Sequence, residues 1–479
     1  MHESDILRAL NARLPRRMFF GGATLAFGAL VSACWHGRGS EERTPTPITD
    51  PNSAFLAWAR EAAVRIEDPT DGSGNAKRVG PLLDGLIGGK RVAYLGEADH
   101  WIHEKYAYRS LFADALFSRG WTHFGEEFAW FDGLLVDRYL ETGDESLLDR
   151  ITMFGYRGAD RPERDDTPTG LLRSGWDTYP TAEFKAEQIR FARTLRGISE
   201  ARPAGMERLR FFGFDVDYNP NAGYEPIAAM LASAPPSLAL EDVRAAIRRV
   251  DSESMADEAT RLSRALETID AAHDALAATL GERSFDDLRY AVLTMRDSFE
   301  YASIGYPATE WRVVADAMAK RELVMHRHLD RVLGSLPPDG KIALMAHNMH
   351  LAKNDRIVKS PPEAVGPGGG AVAATGTWLN DRLPGQVLSV WLLFDHGTDN
   401  QPSPNLPTQL ASPAGSLNAL LAQVAPAFVL PTHSNDDRAR PLASVQVVSM
   451  LYNYVWRTAL REQADLVFFM GEVSPLRGA

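Results

Sequence analysis

The stretch "VAYLGEADHWIHEKYAYRS", residues 92–110, decides how this chain folds. Its first five residues are apolar with too little alternation for a surface strand, the pattern of a strand buried on both faces. It ends as a helix, with Ile102, Tyr106, Arg109 and Phe112 falling on one face. Between strand and helix the turn crowds Glu97, Asp99, His100, His103 and Glu104. Solvation alone does not require so many titratable groups on one turn.

Five further stretches repeat the strand theme: "WTHFGEE" at 121–127, "LRFFGFD" at 209–215, "KIALMAH" at 341–347, "VLSVWLLFD" at 387–395 and "ADLVFFMG" at 464–471. Helical stretches lie between most of them. Strands alternating with helices predict an α/β fold with a largely parallel central sheet flanked by helices. Residues 223–335 break the rhythm with long amphipathic helical patterns and almost no strand signal. They read as a mostly helical subdomain inserted before the fourth strand, within one α/β domain spanning 53–479.

The chain has 479 residues, 24% charged and 45% hydrophobic, the composition of a soluble globular protein. Its net charge of −12 and the lack of a basic stripe argue against a nucleic-acid partner. The N-terminus stands apart. "LPRRMFFGGATLAFGALVSAC", residues 14–34, sets paired arginines before an apolar run too short to span a bilayer comfortably. Residues 1–33 read as an export signal of the lipoprotein type, by a twin-arginine or a Sec route. Val31-Ser32-Ala33-Cys34 resembles a lipobox, in which the cysteine is diacylated and becomes the new N-terminus. Residues 34–52 then read as a flexible tether. The expected location is the bacterial cell envelope, with the protein lipid-anchored at the outer membrane or in the periplasm. Trp35 replaces the aspartate that often retains lipoproteins at the inner membrane. Cys34 is the only cysteine, so a disulfide framework, a cysteine metal site and a thiol nucleophile are all excluded.

The strand candidates share a C-terminal punctuation: Gly96-Glu97, Glu126-Glu127, Asp215 and Ala346-His347-Asn348. Ligands bind at the carboxyl edge of parallel strands, where loops and helix starts converge. Four strands delivering acids or a histidine to that edge would build a polar cleft from distant sequence. In the first turn a strand-end carboxylate, Glu97, can orient His100 by receiving one ring N–H. The other ring nitrogen is then left to take a proton from water. His103 and Glu104 fit a plainer role, as a solvated histidine and an acid that suits the start of a helix. Arg109, on a core-facing side, needs a carboxylate partner or a substrate carbonyl. "MAHNMHLAKN" sets His347 and His350 at i, i+3, a spacing compatible with a metal site that also uses His100 and carboxylates. The preferred reading makes the second histidine an acid or proton shuttle opposite His100. No G-x-S-x-G is present, and "GLIGGKR" falls short of a phosphate loop.

In this order, "LGEADHWIHEKYAYR", "GEEFAWFDGLLVDRY", "FFGFD" and "MAHNMHLAK" resemble the segments typical of the erythromycin esterase family. The resemblance implies hydrolysis of an ester, in known members a macrolide lactone, by activated water without a serine or cysteine nucleophile. It implies that Glu97 and His100 are the acid and general base of a "GE-x-x-H" turn, and that Arg109 is the family's following arginine. It makes Glu127 the second acid, eleven residues before Arg138, and His347 the first histidine of "AHNxH". Asp215, Asn348 and His350 are candidates for contacting substrate or supporting the site. One family segment departs: "RVVADAMAKRE" keeps Met318 and Ala319 but has Val314, Ala315 and Arg321 at its polar positions.

The expected function is therefore an exported esterase-like hydrolase of a small-molecule ester or lactone, lipid-anchored to the membrane. No cofactor is expected, although a divalent metal is left open. The alternatives are a surface lipoprotein that binds a ligand or metal without turnover, and a metal-dependent hydrolase on the same scaffold.

Overall fold

The computed structural model describes residues 50–69, 72–151, 182–202, 207–232, 234, 237–248, 254–304, 311–359, 372–400, 408–450 and 455–478. The expected signal, Cys34 and most of the expected tether lie outside them. Residues 50–52, expected as the end of the tether, belong to a helix, Asp50–Ala62. Among the described residues, no helix is long and apolar enough to cross a membrane.

The strands are β1 Val64–Arg65, β2 Val92–Glu97, β3 His123–Ala129, β4 Arg210–Asp215, β5 Ile342–His347, β6 Val387–Thr398, β7 Gln409–Ala411, β8 Ala427–Pro431, β9 Val445–Ser449, β10 Val455–Ala459 and β11 Leu466–Val473. They form a mixed, mostly parallel sheet with helices around it, plus a separate β9–β10 hairpin. The six stretches expected as strands are β2, β3, β4, β5, β6 and β11. Boundaries differ at several ends: β3 begins at His123 and continues through Ala129, β6 runs on to Thr398, and β11 covers Leu466–Val473.

The described residues divide into two compact units. One is drawn from Met1–Phe124, Ala182–Leu209 and Leu333–Ala479, the other from Gly125–Thr181 and Arg210–Val332. In the first unit the strand order is β1-β8-β11-β6-β2-β5. β11, β6, β2 and β5 are mutually parallel; β8 pairs antiparallel with β11, and β1 antiparallel with β8. β2 and β5 are buried along their whole length, which explains their unbroken apolar runs. Each fully buried aliphatic side chain there contributes about 1.5–3 kcal/mol. The register sets Glu97 opposite His347 on β5 and opposite Leu392 on β6. Gly96 is required by packing: a Cβ there would stand 2.1 Å from Asn348 Oδ1 and 3.0 Å from the Trp391 ring.

The second unit holds β4, most of β3 and the helix Trp130–Thr142. That helix crosses β4 at two glycines. A Cβ on Gly133 would meet the Gly213 nitrogen at 1.9 Å, and one on Gly213 would meet the Ala129 carbonyl at 2.2 Å. Between β4 and β5 the described residues are helical, from Tyr224–Ala232 to Trp311–Ser335, with no strand. Serines start two of these helices: Ser237 accepts from the Leu240 N–H and Ser254 from the Asp257 N–H, each satisfying an orphan donor. Val216, Tyr218, Tyr301, Ala317 and Val324 pack into one core cluster of this unit.

Candidate active site

The 92–110 stretch folds into β2, a turn, and the helix Glu104–Phe117. Glu97 ends the strand with no exposed surface. His100 Nδ1 lies 2.7 Å from Glu97 Oε1. Arg109 and Lys105, four residues apart and so on one face of the helix, both reach back to the same carboxylate. Arg109 Nη2 lies 2.9 Å from Oε2, and Lys105 Nζ lies 3.6 Å from Oε1. Both cations are almost wholly buried. The Lys105 ammonium also stands over the Tyr106 and Phe184 rings, at 4.9 and 4.8 Å.

Burial alone would raise the Glu97 carboxyl, but the charges of Arg109 and Lys105, with the His100 hydrogen bond, outweigh it and hold the group at about 2. An ionised Glu97 accepts a proton-bearing Nδ1, so the neutral imidazole keeps its lone pair on Nε2. His100 is 6% exposed, so only a small part of the ring meets solvent.

His347 packs beside it, with ring centroids 5.3 Å apart. Its Nδ1 accepts the Met349 N–H at 3.1 Å, which leaves Nε2 to donate to the Ala98 carbonyl, also at 3.1 Å. Both nitrogens are thus engaged with backbone, and the ring ties β5 to the turn. Asn348 donates its backbone N–H to the Glu97 carbonyl at 2.8 Å. Its fully buried side-chain amide has no hydrogen-bond partner among the described residues. His350 is also fully buried, and its carbonyl accepts the Gly376 N–H.

The remaining acids and the second histidine of the turn have separate duties. Asp99 is buried and accepts the Trp101 N–H at 2.7 Å. Burial first, then the Asp399 charge, push its carboxyl well above the usual range. His103 Nδ1 pairs with Glu187 at 2.5 Å, and Glu104 accepts from Ser474. The solvated role expected for His103 is therefore corrected, because its ring pairs with Glu187; Glu104 does stand in the first turn of its helix, and it also holds Ser474.

In the second unit Glu127 and Asp215 share one cation. The Arg321 guanidinium lies 2.6 Å from Glu127 through Nη2 and 2.8 Å from Asp215 through Nε. All three side chains are buried, and Tyr218 stands under the guanidinium at 5.5 Å. Arg321, a departure from the family segment, is thus a cation shared by both carboxylates. Arg321→Met should lower unfolding stability by roughly 3–5 kcal/mol, because two buried carboxylates lose their counter-ion. Denaturant unfolding at pH 7 and pH 5 checks this. The deficit should shrink at pH 5, where the variant's carboxyls can take up protons.

Sequence reasoning missed Lys105, Glu187 and the duty of Arg321. Lys105 carried a signal, since it precedes Arg109 by four residues on a helix. The others had none, because their partners are remote in sequence. Among the described residues, no group of three or more His, Cys, Asp or Glu side chains is placed to hold a metal ion. A cleft of about 290 Å³ lies instead at the amino end of β6, lined by Lys90, Lys353, Arg356 and Asp381 among others. Its cations are already engaged: Lys353 with Asp465, Arg356 with Asp381, and Lys90 with the Gly385 carbonyl.

Fold and turn together define an α/β protein with a buried histidine–carboxylate pair at the end of a parallel strand. A family model described as erythromycin esterase matches residues 118–473, and the chain belongs to that family. Membership supports an ester-hydrolase activity on a small-molecule substrate. The matched segment begins after Arg109, so Glu97, His100 and Arg109 rest on the motif and the geometry.

Three solved structures share the fold. A Bacillus cereus protein aligns with a TM-score of 0.68 at 17% identity, over 90% of this chain and 100% of its own. A succinoglycan biosynthesis protein aligns at 0.61 and 15%, over 90% and 99%. A histidine-to-asparagine mutant of the erythromycin esterase EreC, in its open conformation, aligns at 0.55 and 17%, over 82% and 93%.

Proposed function

We propose that the chain hydrolyses an ester or lactone outside the cytoplasm, using water activated by His100. The observation that carries this is the 2.7 Å contact between His100 Nδ1 and a Glu97 carboxylate held ionised by two buried cations. Nε2 takes a proton from water as the hydroxyl oxygen adds to the ester carbonyl carbon. The resulting tetrahedral oxyanion collapses, and the imidazolium returns its proton to the leaving alkoxide, giving acid and alcohol. Lys105 and Arg109 act through Glu97, and His347 steadies the turn. The buried Asn348 amide, which has no hydrogen-bond partner among the described residues, offers an N–H to a carbonyl oxygen or to the water.

The test is a panel of lactones and simple esters incubated with residues 35–479, with and without chelator, and read by mass spectrometry. Addition of one water to any member, unaffected by chelator, supports the proposal. Loss to chelator with recovery on one divalent ion would favour a metal-dependent hydrolase. A lipoprotein that binds without turnover is the competing reading, favoured by the near-complete burial of both imidazoles. It predicts no product from any ester.

Export and anchoring are proposed from the signal-like run and the Val31-Ser32-Ala33-Cys34 segment. Labelled palmitate should enter the wild-type protein in cells and be absent from Cys34→Ser. Equal labelling of the two would remove the anchor from the proposal.

A further inference from the structure

Residues 101–103 join β2 to its helix without belonging to either, so their backbone polar groups need partners from elsewhere. The partners come from residues 474–478, more than 370 positions away. The His103 N–H donates to the Ser474 carbonyl at 2.9 Å, and the Leu476 N–H to the Trp101 carbonyl at 3.3 Å. Ile102 and Pro475 form the bridge between them. Proline has no N–H to continue a ladder, so the pairing stays this short.

Charged side chains hold the segment from both ends. Glu104 accepts the Ser474 N–H at 2.9 Å on one oxygen and the Ser474 hydroxyl at 2.7 Å on the other. Glu187 accepts the Arg477 N–H at 3.0 Å through the oxygen that also meets His103. One turn beyond Glu187 on the helix Ala182–Glu200, Arg190 donates to the carbonyls of Arg477 and Gly478, at 2.6 and 3.0 Å. Of these groups, Glu104 directly follows the turn, and Glu187 also pairs with His103 within it. Hydrogen bonds to ionised groups are about twice as strong as neutral ones, and here they converge within four residues of His100.

We propose that residues 474–478 form a strap that sets the position of the Glu97/His100 turn, with Glu104 and Glu187 as positioning residues. The inference rests on the reading of His100 as the base, and its first measurement is independent of activity. Three forms are compared: the wild type, a Glu104→Ala/Glu187→Ala double variant, and a truncation ending at Val473.

Hydrogen exchange should speed up together at residues 101–103 and, where present, at 474–478, with β2 and β5 unchanged. On an ester that the wild type hydrolyses, kcat should fall roughly 10- to 10²-fold with little change in KM, as expected of a misplaced base. The peptide Ser-Pro-Leu-Arg-Gly-Ala, added to the truncation, should restore part of kcat, which a merely structural tail would not do. If the truncation does not fold, the double variant, whose backbone is complete, decides by the same exchange measurement. Unchanged exchange at residues 101–103 in that variant overturns the strap. Should the wild type hydrolyse no ester, the His100 reading fails, while the exchange result still decides whether the strap holds the turn.

Discussion

Replacing His100 by alanine should lower kcat/KM about 10²- to 10⁴-fold on any ester the wild type hydrolyses, the usual contribution of a positioned general base. The fold should survive. The lost side chain sits within the turn between β2 and its helix, and Glu97 keeps Arg109 and Lys105 as partners. Initial rates measured beside a thermal melt check both halves. A variant that melts like the wild type and keeps more than a tenth of its rate would remove His100 from the mechanism. The wild-type acid limb should not follow Glu97, whose carboxyl is held at about 2.

Glu97→Gln is expected to damage stability and turnover together. The shape is kept, but Arg109 and Lys105, both buried, lose the Glu97 carboxylate they reach, and breaking a buried pair costs roughly 3–5 kcal/mol. The amide can also turn its NH2 toward His100, favouring the tautomer with the proton on Nε2, the wrong one for a base.

Acid should separate the wild type from this variant. The Glu97 carboxyl is lowered in the folded protein from 4.5 to about 2. Its contribution is therefore fully present above the unfolded value and lost as pH falls toward the folded one. That contribution is on the order of 3 kcal/mol at neutral pH. The stability gap between wild type and Glu97→Gln, measured by denaturant unfolding, should narrow as pH drops from 5 toward 2. A gap that is constant over this interval would mean that Glu97 is not held ionised by its cations.

The six long apolar runs were legible as strands because burial on both faces leaves an unbroken hydrophobic signature. β8 was not. It is five residues long, follows Pro426 and ends at Pro431, and it joins the sheet antiparallel to β11. A short apolar run between prolines has no period that tells a strand from a loop. β1, with two residues, exists only because β8 is beside it.

The candidate site divides in the same way. Glu97 and His100 were visible because they are three residues apart on one turn, and Arg109 because it lies on the core side of the adjoining helix. The crowding of that turn has two sources. Glu97 and His100 form the pair proposed for chemistry, whereas His103 and Glu104 meet Glu187 and Ser474. Local spacing cannot reveal a partner 84 or 370 residues away.

Residue order along the chain was enough for the α/β class, the family segments and the candidate base, since these follow from hydrophobic periodicity and short-range spacing. Folding settled the rest. It brought Lys105 and Arg109 onto one carboxylate, committed both His347 nitrogens to backbone, and set Arg321 between Glu127 and Asp215. A side chain's charge state and hydrogen bonds depend on which groups burial forces into contact, and those groups come from anywhere in the chain.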